Sequence, residues 1–245
     1  MSFNRAKPEN AERLRRFWKE AGVGPQGDGG WPVLLDGRQA KTPGGKPLVL
    51  PTQALAQQAA EEWAAQGEHL ELASMPATRM AHTAIEHVRD KRDAIAEEVA
   101  RYVGSDLLCY HADPPVELAR MHAEEWGPLL AWADEVLDLR LTPTAGIMHI
   151  PQSPATIARA KALALELDDF ALTALAAATP LFGSAILAFA LQRGRLGGEE
   201  AFDLSRLDEA FQEDQWGVDE EAAVRTAKLR IEAAALERWF RGAGA

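Results

Sequence analysis

The residues best equipped for chemistry gather at Asp106-Leu107-Leu108-Cys109-Tyr110-His111-Ala112-Asp113, where a thiol, a phenol, an imidazole and two carboxylates share one short stretch. A thiolate nucleophile needs an adjacent base and a depressed pKa, and the neighbours of Cys109 declare neither. A small buried cysteine at a helix end, with Asp106 and Tyr110 fixing the turn by hydrogen bonds, accounts for the same residues. The enzymatic alternative is an acid–base pair drawn from Asp106, His111 and a further carboxylate in a cleft between domains. His82 and Glu86 have the spacing of two metal ligands on one helix face. His87, five residues from His82, lies on another face, and no third ligand accompanies the pair. Gly44-Gly45-Lys46 is followed by Pro47 and lacks the earlier glycine of a phosphate loop. Nucleophile-elbow, zinc-protease, dinucleotide and calcium-loop patterns are absent. No catalytic residue, cofactor or metal is therefore expected.

Binding chemistry is better represented. The chain has seven tryptophans against two tyrosines. Trp63, Trp126, Trp132 and Trp239 fall on predicted helices as core anchors. Trp216 stands apart, because it closes the run Leu207-Asp208-Glu209-Ala210-Phe211-Gln212-Glu213-Asp214-Gln215-Trp216 before Gly217. Leu207 and Phe211 can face a core together, while Asp208, Gln212 and Gln215 line another flank. Gly217 ends that helix and Asp219 can cap the next, whose Val224, Ala227, Ile231 and Ala234 keep helical period. A solvated face with a cap, or an acidic, amide-rich contact surface beside a Trp, fits this pattern equally.

The elements that must position these groups are mainly helical. The 245 residues are 47% apolar, enough for a substantial core. A formal charge of −11 works against a polyanion, so nucleic acid is excluded as a partner. One cysteine cannot form an internal disulfide. The N-terminus, Met1-Ser2-Phe3-Asn4-Arg5, lacks the apolar run of a secretory signal, and a cytoplasmic location in a bacterium is expected. Residues 170–192 carry no charge, but Thr179-Pro180 reads as a cap and first turn. Two buried helices, roughly Asp168 to Ala178 and Pro180 to Arg193, are expected rather than a membrane span.

Periodicity predicts a first helix over Pro8 to Ala21, on Leu14, Phe17 and Trp18. A small meander follows: Trp31 to Leu35, a turn at Asp36-Gly37, Arg38 to Thr42, a turn at Pro43-Gly44-Gly45, then Pro47 to Leu50. A helix from Leu55 to about Gln66 comes next, and Leu70 to Met75 can extend the sheet. Pro76 opens helices through Met80, Ala84 and Val88, Asp93 to Tyr102, Pro115 to Leu137, Pro154 to Leu167, the two apolar helices, Gly198 to Trp216 and Asp219 to Phe240. The expected fold is α+β but mainly α: a small antiparallel β-rich domain over 1–75 and a helical domain over 76–245.

The ordered set Leu35-Asp36-Gly37-Arg38, Lys41-Thr42-Pro43, Leu50-Pro51-Thr52, Glu62-Trp63 with Gln66, Met75-Pro76, Asp106-Leu107-Leu108 with Tyr110, Trp126 with Pro128 and Trp132, Gly183-Ser184, Asp208-Glu209 with Gln212, Trp216-Gly217 and Asp219 resembles the mitochondrial and alphaproteobacterial family of assembly chaperones for the ATP synthase alpha subunit. The similarity spans Phe17 to Trp239. Glu86 and His122 depart from it, the family commonly having Asp and Gln there. The resemblance implies a non-enzymatic protein that binds the unassembled alpha subunit and releases it to beta subunits. In eukaryotes the family works in the mitochondrial matrix. Glu209 is then expected as a charged contact, Gln212 as an amide contact and Trp216 as an aromatic anchor or the residue that positions the helix end, with Asp208 and Asp219 next. A helical scaffold or small-ligand-binding protein is the other non-enzymatic reading.

Overall fold

The computed structural model describes residues 14–146, 148–217 and 219–244. Its N-terminal part is a small antiparallel sheet of β1 (Ala21–Val23), β2 (Trp31–Leu35), β3 (Arg38–Gln39) and β4 (Val49–Leu50). Strand β2 pairs with the other three, setting Leu35 opposite both Ala21 and Arg38, and Trp31 opposite Leu50. The β2–β3 turn places Asp36 and Gly37 at positive φ, the backbone that a two-residue hairpin loop needs. The Glu20 and Lys19 amides donate to the Asp36 carboxylate and hold its pKa below the usual range. Val33, Leu48 and Leu50 are buried with Leu55, Ala56 and Ala59 of α1 (Gln53–Ala64).

The expected first helix is not formed where it can be seen. Residues 8–13 lie outside the described residues, and 14–20 form no helix. Arg15 bridges His69, and the Arg16 and Leu70 amides donate to the carbonyls of Glu68 and Leu14, each at 2.9 Å. This pairing satisfies the backbone without a helix. Trp18 packs edge-on against Trp63 with ring centroids 4.9 Å apart, while Leu14 and Phe17 stay exposed. The three- and four-residue spacing therefore marked no buried face. The stretch Leu70 to Met75 adds no strand either, because Leu72–Ser74 turns as a 3-10 helix.

The rest is helical: α2 (Pro76–Thr83), continued by a π-helical turn over Ala84–Val88, α3 (Arg92–Val103), α4 (Val116–Glu125), α5 (Gly127–Leu137), α6 (Pro154–Glu166), α7 (Asp169–Phe182), α8 (Ala185–Gln192), α9 (Gly198–Leu204), α10 (Leu207–Trp216) and α11 (Glu220–Ala243). Two residue pairs, β5 (Tyr110–His111) and β6 (Thr144–Ala145), form a short parallel ribbon. Alpha plus beta with alpha dominant is thus the class observed. Among the described residues no helix is long and apolar enough to cross a membrane.

Three helix boundaries differ from expectation, each for a local reason. Pro115 to Leu137 divides at Trp126-Gly127-Pro128, where proline lacks the amide to continue α4 and the Trp126 indole donates to the Leu204 carbonyl at 2.9 Å. Helix α7 runs through Thr179-Pro180 and stops at Gly183, whose φ of 64° ends a helix at low steric cost. Ser184 then caps α8, and Asp106 holds that cap. Gly198 to Trp216 breaks at Ser205-Arg206, where Ser205 Oγ donates back to the Phe202 carbonyl.

The two parts are tied at several points. Glu62 on α1 accepts from the amides of Ala77 and Thr78 at 2.7 and 2.8 Å and so caps α2. The Thr52 hydroxyl donates to the Gly242 carbonyl at 2.6 Å, and the Gln58 amide to the Arg238 carbonyl at 2.8 Å. The C-terminal end of α11 is thereby held against α1.

Candidate partner-binding surface

The cluster around Cys109 is structural. Asp106 is fully buried and accepts from the Ser184 hydroxyl at 2.6 Å and from the Leu108 and Ile186 amides at 3.1 Å. Burial raises its pKa to about 6 against the lowering effect of these donors. Burial also pushes the Cys109 thiol up to about 12, leaving no thiolate at neutral pH. His111 Nε2 lies 3.1 Å from the Leu108 carbonyl. These groups close a turn and join it to the N-terminus of α8. Glu86 is likewise engaged structurally, accepting from the Gly44 amide and the Thr42 hydroxyl, and burial lowers the pKa of His82 against the raising effect of the nearby Glu86 carboxylate. Among the described residues no three His, Cys, Asp or Glu side chains form a metal-binding group.

Helix α10 carries four of the five expected contact residues, and none of its residues is buried. It rests on α4, with Leu207 packed against the core and Phe211 half-buried. Glu209 and Gln212 are exposed. Arg206, at the start of the helix, faces Glu209 at 3.4 Å and Glu213 at 3.9 Å. Trp216 is 79% exposed, so it contributes little to the core and its ring is free to meet another molecule. Gly217 follows at φ 88° and turns the chain toward α11. Asp219 caps α11, accepting from the Ala222 amide at 2.8 Å.

Asp208, half-buried on its flank of α10, also meets a residue of another helix. Its Oδ1 lies 3.1 Å from Nε2 of His122 on α4, with the N–H aimed off the oxygen, so the contact is electrostatic rather than a linear hydrogen bond. The His122 ring is buried, lies flat on Trp126 at 3.8 Å between centroids, and accepts the Ala112 amide on Nδ1 at 3.0 Å. That acceptor role places the proton on Nε2, the ring nitrogen nearer Asp208. Burial lowers the His122 pKa and nearby His111 adds to this, while Asp208 opposes them. His122 entered the sequence reading only as a departure from the family pattern. Its position four residues before Trp126 was visible, but its pairing across to α10 was not.

Helix α11 is held at its C-terminal end and exposed at its N-terminal end. Its buried residues, Ala233, Ala235, Leu236, Trp239, Phe240 and Gly242, all belong to the last turns. The Trp239 indole donates to the Phe170 carbonyl at 3.0 Å, and Glu237 accepts the Gly198 amide at 2.7 Å. Fully burying side chains the size of Phe240 or Leu236 contributes about 1.5–3 kcal/mol each. The periodic stripe of Val224, Ala227, Ile231 and Ala234 does not enter that core. Val224 is 59% and Ile231 65% exposed, Ala227 is exposed and Ala234 half-buried.

Comparison with known proteins gives a consistent result. The family model described as ATP12 chaperone protein matches residues 15–134. The crystal structure of Atp12 from Paracoccus denitrificans is 44% identical, covers 94% of this chain and 98% of its own, and superposes with a TM-score of 0.88. A mutant of the same Paracoccus protein gives 43% identity over the same shares of both chains and the same TM-score. The mitochondrial protein atp12 of Schizosaccharomyces pombe is 27% identical over 233 residues, 90% of this chain and 80% of that protein.

Proposed function

This chain belongs to the ATP12 chaperone family, and on that premise we propose that it binds the unassembled alpha subunit of an F-type ATP synthase, shields its subunit interface and yields it to beta subunits. Ring subunits expose apolar surfaces meant for a neighbour, and such patches associate promiscuously while uncovered. A chaperone need only cover the patch more weakly than the cognate subunit does, so release requires competition and no nucleotide hydrolysis by the chaperone. In a bacterium this exchange takes place in the cytoplasm, before the head joins its membrane sector.

The observation that carries this reading is the exposed end of α10. A helix without one buried residue closes on a tryptophan that is 79% exposed, whereas Trp126 and Trp239 are fully buried and Trp18 and Trp63 nearly so. Glu209 and Gln212 supply polar contacts beside it, with Trp216 as the aromatic anchor. Asp208 and Asp219 hold the two ends of the surface, one against α4 and the other at the first turn of α11.

The test is a pull-down with the full chain as bait from a mixture of purified alpha and beta subunits, followed by addition of excess beta subunit. Selective recovery of alpha, and its loss from the bait on adding beta, is the expected result. Recovery of neither subunit sinks the reading.

A further inference from the structure

We propose that the exposed stripe Val224, Ala227 and Ile231 of α11 extends the Trp216 surface into one docking face, which takes an apolar segment of the client carrying Lys or Arg at the end that meets α10. This rests on the function proposed above and specifies the chemistry of the surface recognised.

Scattered exposed apolar residues are ordinary; these are not scattered. Spacings of three and four residues put the three side chains on one face of one helix, over about 10 Å of its length. Ile231 stands on a crest, because it lines two grooves at once. One, of about 380 Å³, runs between α11 and the α1–α2 pair past Glu61 and Ala77. The other, of about 630 Å³, lies on the opposite side with Ala227 and Ala234. Partner side chains can seat on both flanks of the crest, the arrangement by which helices interdigitate. The ion pairs Arg79–Glu232 and Arg230–Asp203, each at 2.6 Å, fix α11 to its neighbours on either side. The crest is therefore presented on a braced helix, which lowers the ordering cost of binding.

Charge decides what meets the Trp216 end. Between Asp208 and Glu221 the chain carries seven carboxylates and no Lys or Arg. Glu209 and Glu213 share Arg206, Asp208 faces His122, and Asp219 is engaged in its cap. Among the described residues, Asp214, Glu220 and Glu221 have no cation within ion-pair distance, so the foot of the stripe presents uncompensated negative charge. Arg225 and Lys228 follow on the exposed part of α11, and the polarity reverses along the surface. A basic end on the partner therefore fixes its direction as well as its register. A second copy of this chain is disfavoured, since each copy carries a net charge of −11.

The experiment measures binding of purified alpha subunit to the full chain and to three variants: Val224→Glu/Ile231→Glu, Asp214→Asn/Glu220→Gln/Glu221→Gln, and the control Val116→Glu, exposed on α4. Sedimentation of the chaperone alone accompanies each. The apolar double variant is expected to weaken binding by about tenfold or more with its melting curve unchanged, and the control to bind like wild type. The amide variant is expected to associate more slowly, and to lose much of the rate decrease that wild type shows between about 50 and about 300 mM salt. Equal binding by wild type and the double variant overturns the proposal and leaves the chaperone reading standing. A double variant whose only change is dissociation of a chaperone dimer overturns it in favour of self-association. Failure of wild type to bind alpha at all removes both readings together.

Discussion

His122 on α4 presents Nε2 to Oδ1 of Asp208 on α10 at 3.1 Å, from a ring that is itself buried flat against Trp126. Because α10 buries none of its residues, this contact helps the packed Leu207 and the half-buried Phe211 to set the helix on the body of the protein. The proposed contact surface is thereby joined to α4 by a polar contact from beneath.

The tautomer gives a pH prediction. Folding lowers the His122 pKa below its ordinary 6.5, chiefly through burial. The unfolded chain therefore takes up the proton first as pH falls, and the contribution of His122 to stability is present above about 6.5 and lost below it. His122→Gln keeps an acceptor for the Ala112 amide and a donor toward Asp208, and removes the titration. Its unfolding free energy is expected to fall less than that of wild type between about pH 7.5 and pH 5.5 in urea titrations, with alpha binding retained. Parallel pH profiles for the two proteins would show that the ring does not titrate with folding.

Glu209→Lys and Trp216→Ala separate contact from scaffold. Among the described residues Glu209 pairs with Arg206, at 3.4 Å on the surface, where an ion pair contributes less than about 1 kcal/mol. Trp216 is too exposed to hold the core. Both variants should unfold within about 0.5 kcal/mol of wild type and bind the alpha subunit at least about tenfold more weakly in titration calorimetry. Either variant with full affinity would remove that residue from the contact surface.

Asp106→Asn tests the buried carboxylate. Its pKa is raised from 3.8 to about 6, mainly by burial, so the folded state binds a proton that the unfolded state has released. This contribution is complete below about pH 3.8 and is lost as pH rises through about 6. The stability advantage of wild type over the Asn variant should shrink across that window by on the order of 3 kcal/mol. Denaturant titrations from about pH 4 to pH 7 read it directly, and a constant difference would mean that Asp106 does not titrate there.

Where structure is local, the residues announced it. Asp36-Gly37 forms the expected hairpin turn because positive φ is a property of those two residues alone. The expected cap at Asp219 binds an amide in the first turn of α11. What was misread depends on distant partners. Pro180 looks like a helix start, yet α7 passes through it because the real stop, Gly183-Ser184, is secured by Asp106 from another part of the chain. The meeting of Asp208 with His122 of α4 is likewise invisible in the spacing along one helix. The stripe of Val224, Ala227 and Ile231 has the same period whether it faces a core or a partner. Periodicity identifies an apolar face and leaves its occupant open.

The base that supports this stripe can be tested at two adjacent glycines. A Cβ on Gly198 would sit 2.4 Å from the Ala233 carbonyl oxygen and 2.9 Å from its carbon, so helix α9 touches the backbone of α11 at a point where only glycine fits. A backbone carbonyl inside a helix cannot swing aside, and Gly198→Ala must move one helix away from the other. A cost of about 1–3 kcal/mol is expected, or roughly 2–4 °C in Tm per kcal/mol for a chain of this size. At Gly197 the nearest atoms to a new Cβ are those of the Glu237 side chain, at 3.6 Å or beyond, and φ is an ordinary −77°. Gly197→Ala should therefore lose only the modest N-cap preference, below about 1 kcal/mol. Because Gly198 meets α11 at Ala233, two residues beyond the exposed Ile231, its substitution should also weaken alpha binding, whereas Gly197→Ala should leave it unchanged. Thermal melts and binding titrations on the pair decide the point: equal behaviour of the two variants would show that the α9–α11 contact does not support the docking face.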